Sequence, residues 1–220
     1  MMLFFANHLY FLSGLYFTFF WVLFFLNTEN KKKMILVSLS GLVFGPLVEF
    51  MHLIDWWQPH FLFNTIIKVE DLFFGFSISG ISMAVFTILA SGKAMKRHHC
   101  SLLSKVSLII VILFILFGTF LFFNLSSFWS SIFTFTFGVL VICYWEPELF
   151  FLFLLAGGFL LLLSIPGYLF GIYINPNWVQ QEWLVSKLSG IFIYNIPIEE
   201  FVWFFFAGMG IPAIYRLLFK

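Results

Sequence analysis

Residues 196–206 read IPIEEFVWFFF, in which two adjacent carboxylates open an apolar run toward the C-terminus. Pro197 predicts a helix start, because proline fits the first helical turn, and the positive end of the helix dipole favours Glu199 and Glu200 there. One interpretation is that the pair only caps a helix at the membrane surface. Ionisable groups inside a membrane segment are costly to desolvate, however, so two of them also indicate a functional site.

A second stretch, IKVEDLFFG at residues 67–75, repeats this arrangement. Adding 129 to each residue number aligns the two stretches, and the aligned pairs are Glu70 with Glu199, Asp71 with Glu200 and Phe74 with Trp203. An offset of 120 aligns the preceding hydrophobic segments, with the pairs Pro46 and Pro166, Phe50 and Phe170, Ile54 and Ile174, and Asp55 and Asn175. The sequence therefore contains an internal repeat, and the two acid pairs predict one shared site.

The composition is that of a membrane protein. Hydrophobic residues make up 62% of the 220 residues, charged residues make up 10%, and the mean hydropathy is +1.06. Soluble globular domains have a charged fraction of about a quarter. The net charge of +1 argues against nucleic acid as a partner, which requires a basic patch. We predict an integral, multi-pass membrane protein, in the cell (inner) membrane if the source is prokaryotic.

Hydrophobic segments of about 20 residues predict seven membrane-spanning helices in one all-α bundle. The predicted bounds are His8–Leu26, Met34–Ile54, Glu70–Gly92, Val106–Phe123, Phe128–Tyr144, Leu149–Ile174 and Pro197–Leu218. Pro46 is expected to kink its helix and Pro166 to break its own. The repeat makes residues 1–92 (helices 1–3) one three-helix unit and residues 127–220 (helices 5–7) the other, with a linker helix in residues 93–126. Helices 2 and 6 are four spans apart, so the units are parallel, and parallel repeats place a site at their interface.

Basic residues in short loops indicate the cytoplasmic side. Lys31–Lys33, residues 93–105, and Arg216 with Lys220 all fall on one side only if seven helices are counted. The N-terminus then lies outside. The acid pairs gather near the outer half of the membrane, and Glu146 lies on the cytoplasmic side.

Acidic side chains beside aromatic rings suggest acid–base chemistry. Trp203 follows Glu199 by four residues and Glu200 by three, so its indole can lie beside either acid on the same side of the helix. Phe74 has the same spacing from Glu70 and Asp71. A carboxyl group desolvated near a second carboxylate can hold a proton at neutral pH and act as a general acid. Aromatic faces would stabilise the cation formed when such an acid protonates an alkene. This chemistry requires no cofactor.

Three tryptophans in the predicted outer loops, Trp56, Trp57 and Trp178, are expected to cover the site as an aromatic lid that contacts the substrate. The alternative interpretation is anchoring at the membrane interface, where tryptophan is enriched.

Glu49 and His52 complete the expected substrate-binding set, near the end of the second helix. They form a single Glu-x-x-His, whereas di-iron bundles use two such motifs, and a satisfied polar contact is the alternative interpretation. The chain has only two aspartates, Asp55 and Asp71, too few for the aspartate-rich motifs that bind magnesium and diphosphate. We therefore predict no metal site.

The sequence PIEEF at residues 197–201, preceded by Asn175-Pro176 and echoed by VED at residues 69–71, resembles the lycopene cyclase domain of the heterodimeric and fungal/archaeal type. That family has two repeated units of about three helices, each with a Pro-x-Glu-Glu-like motif, an architecture that matches nearly the whole chain. The first copy departs from the motif, because Lys68 replaces the proline and Asp71 replaces one glutamate.

This resemblance implies a redox-neutral lycopene beta-cyclase, an intramolecular lyase or isomerase of carotenoid biosynthesis. It would close the ends of a linear apolar polyene, lycopene or a related carotenoid, into ionone rings. The implied catalytic residues are Glu199, Glu200, Glu70 and Asp71. We hypothesise that the Glu199/Glu200 pair supplies the proton and that a carboxylate of either pair removes one, although the sequence does not identify the donor.

A proton-coupled transporter or a non-catalytic membrane scaffold is the alternative, because proton relays also use repeats and buried acids. A continuous polar path across the membrane would favour transport, whereas a closed apolar slot open to lipid would favour the cyclase. Ring type, ring number and homo-oligomerisation stay open.

Overall fold

A computed structural model describes residues 7–63, 65–92 and 101–219. Within these ranges, seven helices are long and apolar enough to cross a membrane. In lipid, backbone N–H and C=O groups must be satisfied within the protein, so long hydrophobic runs adopt helical structure. The predicted all-α bundle with seven spans is confirmed.

The helices and strands follow the predicted order, with additional short elements before the last span. They are α1 (Leu9–Asn27), α2 (Lys31–Asp55), α3 (Val69–Leu89), α4 (Leu102–Phe123), α5 (Ser127–Trp145), α6 (Phe150–Ile174), α7 (Trp178–Glu182), β1 (Phe192–Ile193), β2 (Ile196–Pro197) and α8 (Ile198–Phe219). A π-helical segment, Phe114–Gly118, lies within α4, and 3-10 turns lie at Pro147–Leu149 and Val185–Lys187.

Pro166 does not break its helix, contrary to the sequence prediction. Helix α6 continues through Pro166 to Ile174, and α2 likewise continues through Pro46. Neighbouring helices and local adjustments can compensate for the hydrogen bond that a proline removes in a membrane bundle. The lysines at 31–33 also differ from expectation, because they form the first turn of α2 instead of a loop. The predicted basic loop at residues 93–105 falls mostly outside the described ranges, which resume at residue 101.

The segment between α6 and α8 is more ordered than the predicted loop. Strands β1 and β2 pair in antiparallel register as a hairpin. Its turn residues, Tyr194 and Asn195, have φ of 52° and 63°, and two-residue type I′ turns require positive φ at both positions. The hairpin leads directly into α8 and so places Glu199 and Glu200 in the first helical turn.

Helix α3 packs against α1 and α2, α8 packs against α5 and α6, and α3 contacts α8. Two parallel three-helix units would give this pairing. Glycine permits close approach within each unit. A Cβ at Gly41 in α2 would overlap the carbonyl of Gly75 in α3, and a Cβ at Gly157 in α6 would overlap the backbone of Phe205 in α8.

Helix α4 lies at the edge of the bundle, and most of its apolar side chains are exposed. In a membrane these side chains face lipid, so their exposure carries no hydrophobic cost. Its position fits the predicted role of a linker between the two units.

The half of the bundle remote from the acid pairs has an apolar core. Phe86 of α3 stacks on Phe153 of α6 with 4.9 Å between ring centroids. At the far end, Arg216 of α8 forms a buried ion pair with Glu146, its Nε lying 2.9 Å from Oε1. The sequence prediction placed these two residues on the same side, and the ion pair joins them there.

Candidate active site in an aromatic cavity

A cavity of about 1130 Å³, its opening included, lies at the end of the bundle where α2 ends and where α3 and α8 begin. Its lining includes nine of the eleven residues predicted for the site, namely Glu49, His52, Trp56, Trp57, Asp71, Phe74, Trp178, Glu200 and Trp203. Both repeats contribute to this one cavity.

Glu200 lies in the first turn of α8 with 7% of its surface exposed. Both of its carboxylate oxygens accept hydrogen bonds. The Tyr168 hydroxyl donates to Oε2, and Trp183 Nε1 donates to Oε1 at 2.6 Å. Helix α6 and the segment after α7 therefore hold this carboxylate in one orientation.

Asp71 lies in the first turn of α3 and is 5% exposed. Its Oδ1 accepts a hydrogen bond from the Tyr10 hydroxyl of α1 at 3.0 Å. This is the one hydrogen bond that the side chain makes among the described residues. Each repeat thus presents one tyrosine-bound acid to the cavity, but only Glu200 has donors on both oxygens.

Glu70 and Glu199 do not line this cavity. Each accepts a hydrogen bond from a loop backbone N–H at 2.6 Å, Glu70 from Leu62 and Glu199 from Ser189. Successive residues of an α-helix point about 100° apart, so the two acids of a pair cannot face the same way. In both pairs the second acid enters the cavity and the first binds the preceding loop.

Glu49 and His52 face each other across one turn of α2. His52 Nδ1 lies 3.4 Å from Glu49 Oε2, and Nε2 lies 3.3 Å from Ser131 Oγ of α5. Among the described residues, no group of three or more His, Cys, Asp or Glu side chains could hold a metal ion. Glu49 and His52 make a polar contact within the bundle.

The walls of the cavity are aromatic. Trp203 lies with its ring centroid 6.2 Å from that of Phe74 and 6.5 Å from that of Trp56, which brings together rings from both repeats. Trp56 and Trp178 are almost fully buried, at 4% and 2% exposed. They lie within the cavity wall, and their role as a substrate lid stays a prediction.

The loops of the two repeats meet at Trp57 and Trp183, which form an isolated antiparallel bridge. Gln58 N donates to Glu182 O at 2.6 Å, and Leu184 N donates to Trp56 O at 2.9 Å. Adding 126 to Trp56, Trp57 and Gln58 gives Glu182, Trp183 and Leu184, so the two hydrogen bonds are equivalent under the repeat.

Glu182 is a buried acid outside the spans that the sequence analysis missed. Its Oε2 accepts from Trp178 Nε1 at 2.6 Å, and its Oε1 lies 3.1 Å from His60 Nδ1 and 3.3 Å from His60 N. Burial raises the pKa of this carboxyl above its usual value, against the opposing effect of the hydrogen bonds from Trp178 and His60. Glu182 thereby joins the loop after α2 to the segment after α6.

Sequence reasoning also missed Tyr10, Tyr168 and Trp183. Trp183 could have been found, because an offset of 126, between the two offsets of the repeat, places Trp57 on it. The tyrosines have no such signal, since the offset of 120 places Val48 on Tyr168.

Comparison with known families gave one match. Residues 125–218 match the family described as lycopene cyclase, a region that includes α5, α6, α7 and α8. Comparisons with curated proteins and with solved structures found no match. The matched region carries Tyr168, Trp183, Glu199 and Glu200. The chain is thus similar to the lycopene cyclase family over these residues, which make up less than half of its length.

Proposed function

We propose that this protein is a redox-neutral carotenoid cyclase that closes the end of a linear polyene by proton transfer from a buried carboxylic acid. The match of residues 125–218 to the lycopene cyclase family supports carotenoid cyclase activity in general. The single observation that carries the mechanism is that Asp71 and Glu200, from different repeats, line one aromatic cavity.

Asp71 is the proposed proton donor. One of its oxygens accepts from Tyr10, which leaves the other available to carry a proton toward the ligand. Protonation of the terminal double bond would leave a tertiary cation, and the neighbouring double bond would close on that cation to form a ring. This assignment departs from the sequence hypothesis, which gave the donor role to the Glu199/Glu200 pair.

Glu200 is the proposed base. A carboxylate that accepts hydrogen bonds on both oxygens is stabilised as an anion, and Tyr168 and Trp183 supply both bonds. It would remove a proton from the ring cation and form the ring double bond. The reaction adds one proton and removes one, so atoms and electrons balance without a redox partner.

Trp203 and Phe74 would stabilise the cation between these two proton transfers. Their ring centroids lie 6.2 Å apart, and both rings line the cavity. A desolvated cation–π contact contributes about 2 kcal/mol, which corresponds to roughly a thirtyfold rate effect.

Glu70 and Glu199 are proposed to position the site. Each binds a backbone N–H of the loop that precedes its own helix, and both loops contribute to the region around the cavity. The four predicted catalytic acids thus divide into two acid–base residues and two positioning residues.

The apolar core beneath the cavity favours an enzyme over a transporter. The buried cluster between the cavity and the far end includes Ile81, Phe86, Phe153 and Leu160. A proton-coupled transporter would need ionisable groups along this path, whereas the buried Ser82 and Thr87 bond to backbone carbonyls of their own helix.

The test is pigment analysis after expression in a host that accumulates lycopene. We expect ring-closed carotenoids with the wild-type chain and unchanged lycopene with the Asp71→Asn/Glu200→Gln double variant, at equal membrane abundance. Unchanged lycopene with both chains would contradict the proposal.

A further inference from the structure

The cavity is unusually rich in tryptophan. Five of the eight tryptophans line it, although phenylalanine is far more abundant in the chain, with 36 residues. An indole differs from a phenyl ring in its N–H donor, which needs an acceptor when buried. Trp178 and Trp183 have such acceptors, on Glu182 and Glu200 at 2.6 Å each.

Trp56 and Trp203 have none among the described residues. Both Nε1 atoms are buried and without a hydrogen-bond partner, and so is Glu49 Oε1. All three side chains line the same cavity. The cavity therefore contains two donors and one acceptor that the described part of the chain leaves unpaired.

His52 holds these groups close together. Its ring centroid lies 4.7 Å from that of Trp56 and 6.1 Å from that of Trp203, and its Nδ1 lies 3.4 Å from Glu49 Oε2. Because both of its ring nitrogens already face polar partners, Glu49 and Ser131, His52 does not supply the missing acceptor. The side chains that carry the three unpaired atoms thus lie around His52 in one part of the cavity wall.

A hydrocarbon ligand would leave all three atoms unpaired, and buried unpaired polar groups are costly. A hydroxyl group accepts up to two hydrogen bonds and donates one, which matches two indole donors and one carboxyl oxygen as acceptor. A carbonyl oxygen could not donate to Glu49. Water offers the same donor and acceptor pattern as a hydroxyl group.

We propose that the cavity binds a polyene whose end carries a hydroxyl group, with Trp56 and Trp203 donating hydrogen bonds to its oxygen and Glu49 Oε1 accepting a hydrogen bond from it. The inference rests on the proposed function for the polyene chain and adds the chemical class of the end group.

The experiment measures binding to the purified protein in lipid nanodiscs. The probes are a linear C40 polyene hydrocarbon and the same polyene with one terminal hydroxyl group. We expect the wild-type protein to bind the alcohol about tenfold more tightly, the ratio that one net hydrogen bond supplies. Trp203→Phe and Trp56→Phe should each reduce this preference, which is the ratio of the two affinities within one variant, so that any change in hydrocarbon binding itself is divided out.

Trp129→Phe is the matched control. Trp129 is half exposed and lies outside this cavity, so its variant should keep the wild-type preference. Equal binding of the two probes by the wild type would show that water fills the position, and would overturn the inference while leaving the polyene ligand intact. Failure of both probes to bind would overturn the proposed polyene ligand and the inference with it. A preference that survives both cavity variants would also overturn the inference.

Discussion

Asp71 and Glu200 lie in different repeats and open into the same cavity, each bound to a tyrosine hydroxyl. Offset by 129 residues, they are equivalent positions in two helices that pack against each other. Their hydrogen bonds differ, because Glu200 accepts a second hydrogen bond from Trp183. Two acids at aligned positions of the sequence are thus held in different environments, as a division between acid and base requires.

The first prediction separates the two roles. Asp71→Asn and Glu200→Gln should each reduce cyclisation by at least about a hundredfold, the usual contribution of general acid–base catalysis. If Asp71 is the donor, Glu200→Gln still allows reversible protonation. Substrate recovered from Glu200→Gln in deuterated water should then contain deuterium, and substrate recovered from Asp71→Asn should not. The reverse pattern, measured by mass spectrometry, would exchange the two roles.

The second prediction concerns Glu199, which accepts a hydrogen bond from Ser189 N. Glutamine keeps an acceptor oxygen but cannot act as a carboxylic acid. Glu199→Gln should therefore retain most of the activity, whereas Glu199→Ala should lose it by releasing the loop. Product yields at equal protein abundance provide the measurement. Equal loss in both variants would indicate that Glu199 acts in proton transfer.

The third prediction tests the close contact between α6 and α8. A Cβ at Gly157 would overlap the backbone of Phe205 and the side chain of Met209, whereas one at Gly158 would meet nothing within 4 Å. Gly157→Ala should lower the free energy of unfolding by about 1–3 kcal/mol, because the added methyl group overpacks the contact. Gly158→Ala is the matched control and should be neutral or slightly stabilising, because alanine favours helix over glycine. Thermal unfolding in detergent measures both, and equal stability of the two variants would contradict this packing.

The fourth prediction is a pH dependence at Glu182. Its pKa is raised in the folded protein, so the folded state binds this proton more tightly than the unfolded state does. Its contribution to stability is therefore greatest below the ordinary value of 4.5 and declines as pH rises through the folded pKa. Glu182→Gln should remove this decline. The measurement is the melting temperature of the wild type and of Glu182→Gln from pH 4 to pH 8. The wild-type value should fall relative to that of the variant as pH rises, and parallel curves would contradict this prediction.

The seven spans, the one shared cavity and nine of its lining residues follow from sequence, because hydropathy and a repeat of acids and aromatics are both periodic signals. The sequence did not predict that the second acid of each pair lines the cavity while the first binds the loop. It depends on which way a helix is rotated, and here Leu62 and Ser189 bind the first acid of each pair. The repeat itself identifies equivalent positions but not their orientation.

The hydrogen-bond partners of Asp71 and Glu200 could not be predicted from the sequence either. Tyr10 and Tyr168 reach Asp71 and Glu200 from helices that are not equivalent under the repeat, α1 in one case and α6 in the other. The predicted break at Pro166 was wrong because a proline signal is local, whereas the surrounding bundle supports the helix through it.

The central claim is that a protein carboxylic acid protonates the polyene before the ring closes. The most direct measurement is a single turnover with enzyme equilibrated in deuterated water, followed by mass spectrometry of the product. We predict one deuterium atom for each ring formed, located on a ring carbon. Rings formed without any solvent-derived hydrogen would contradict the account.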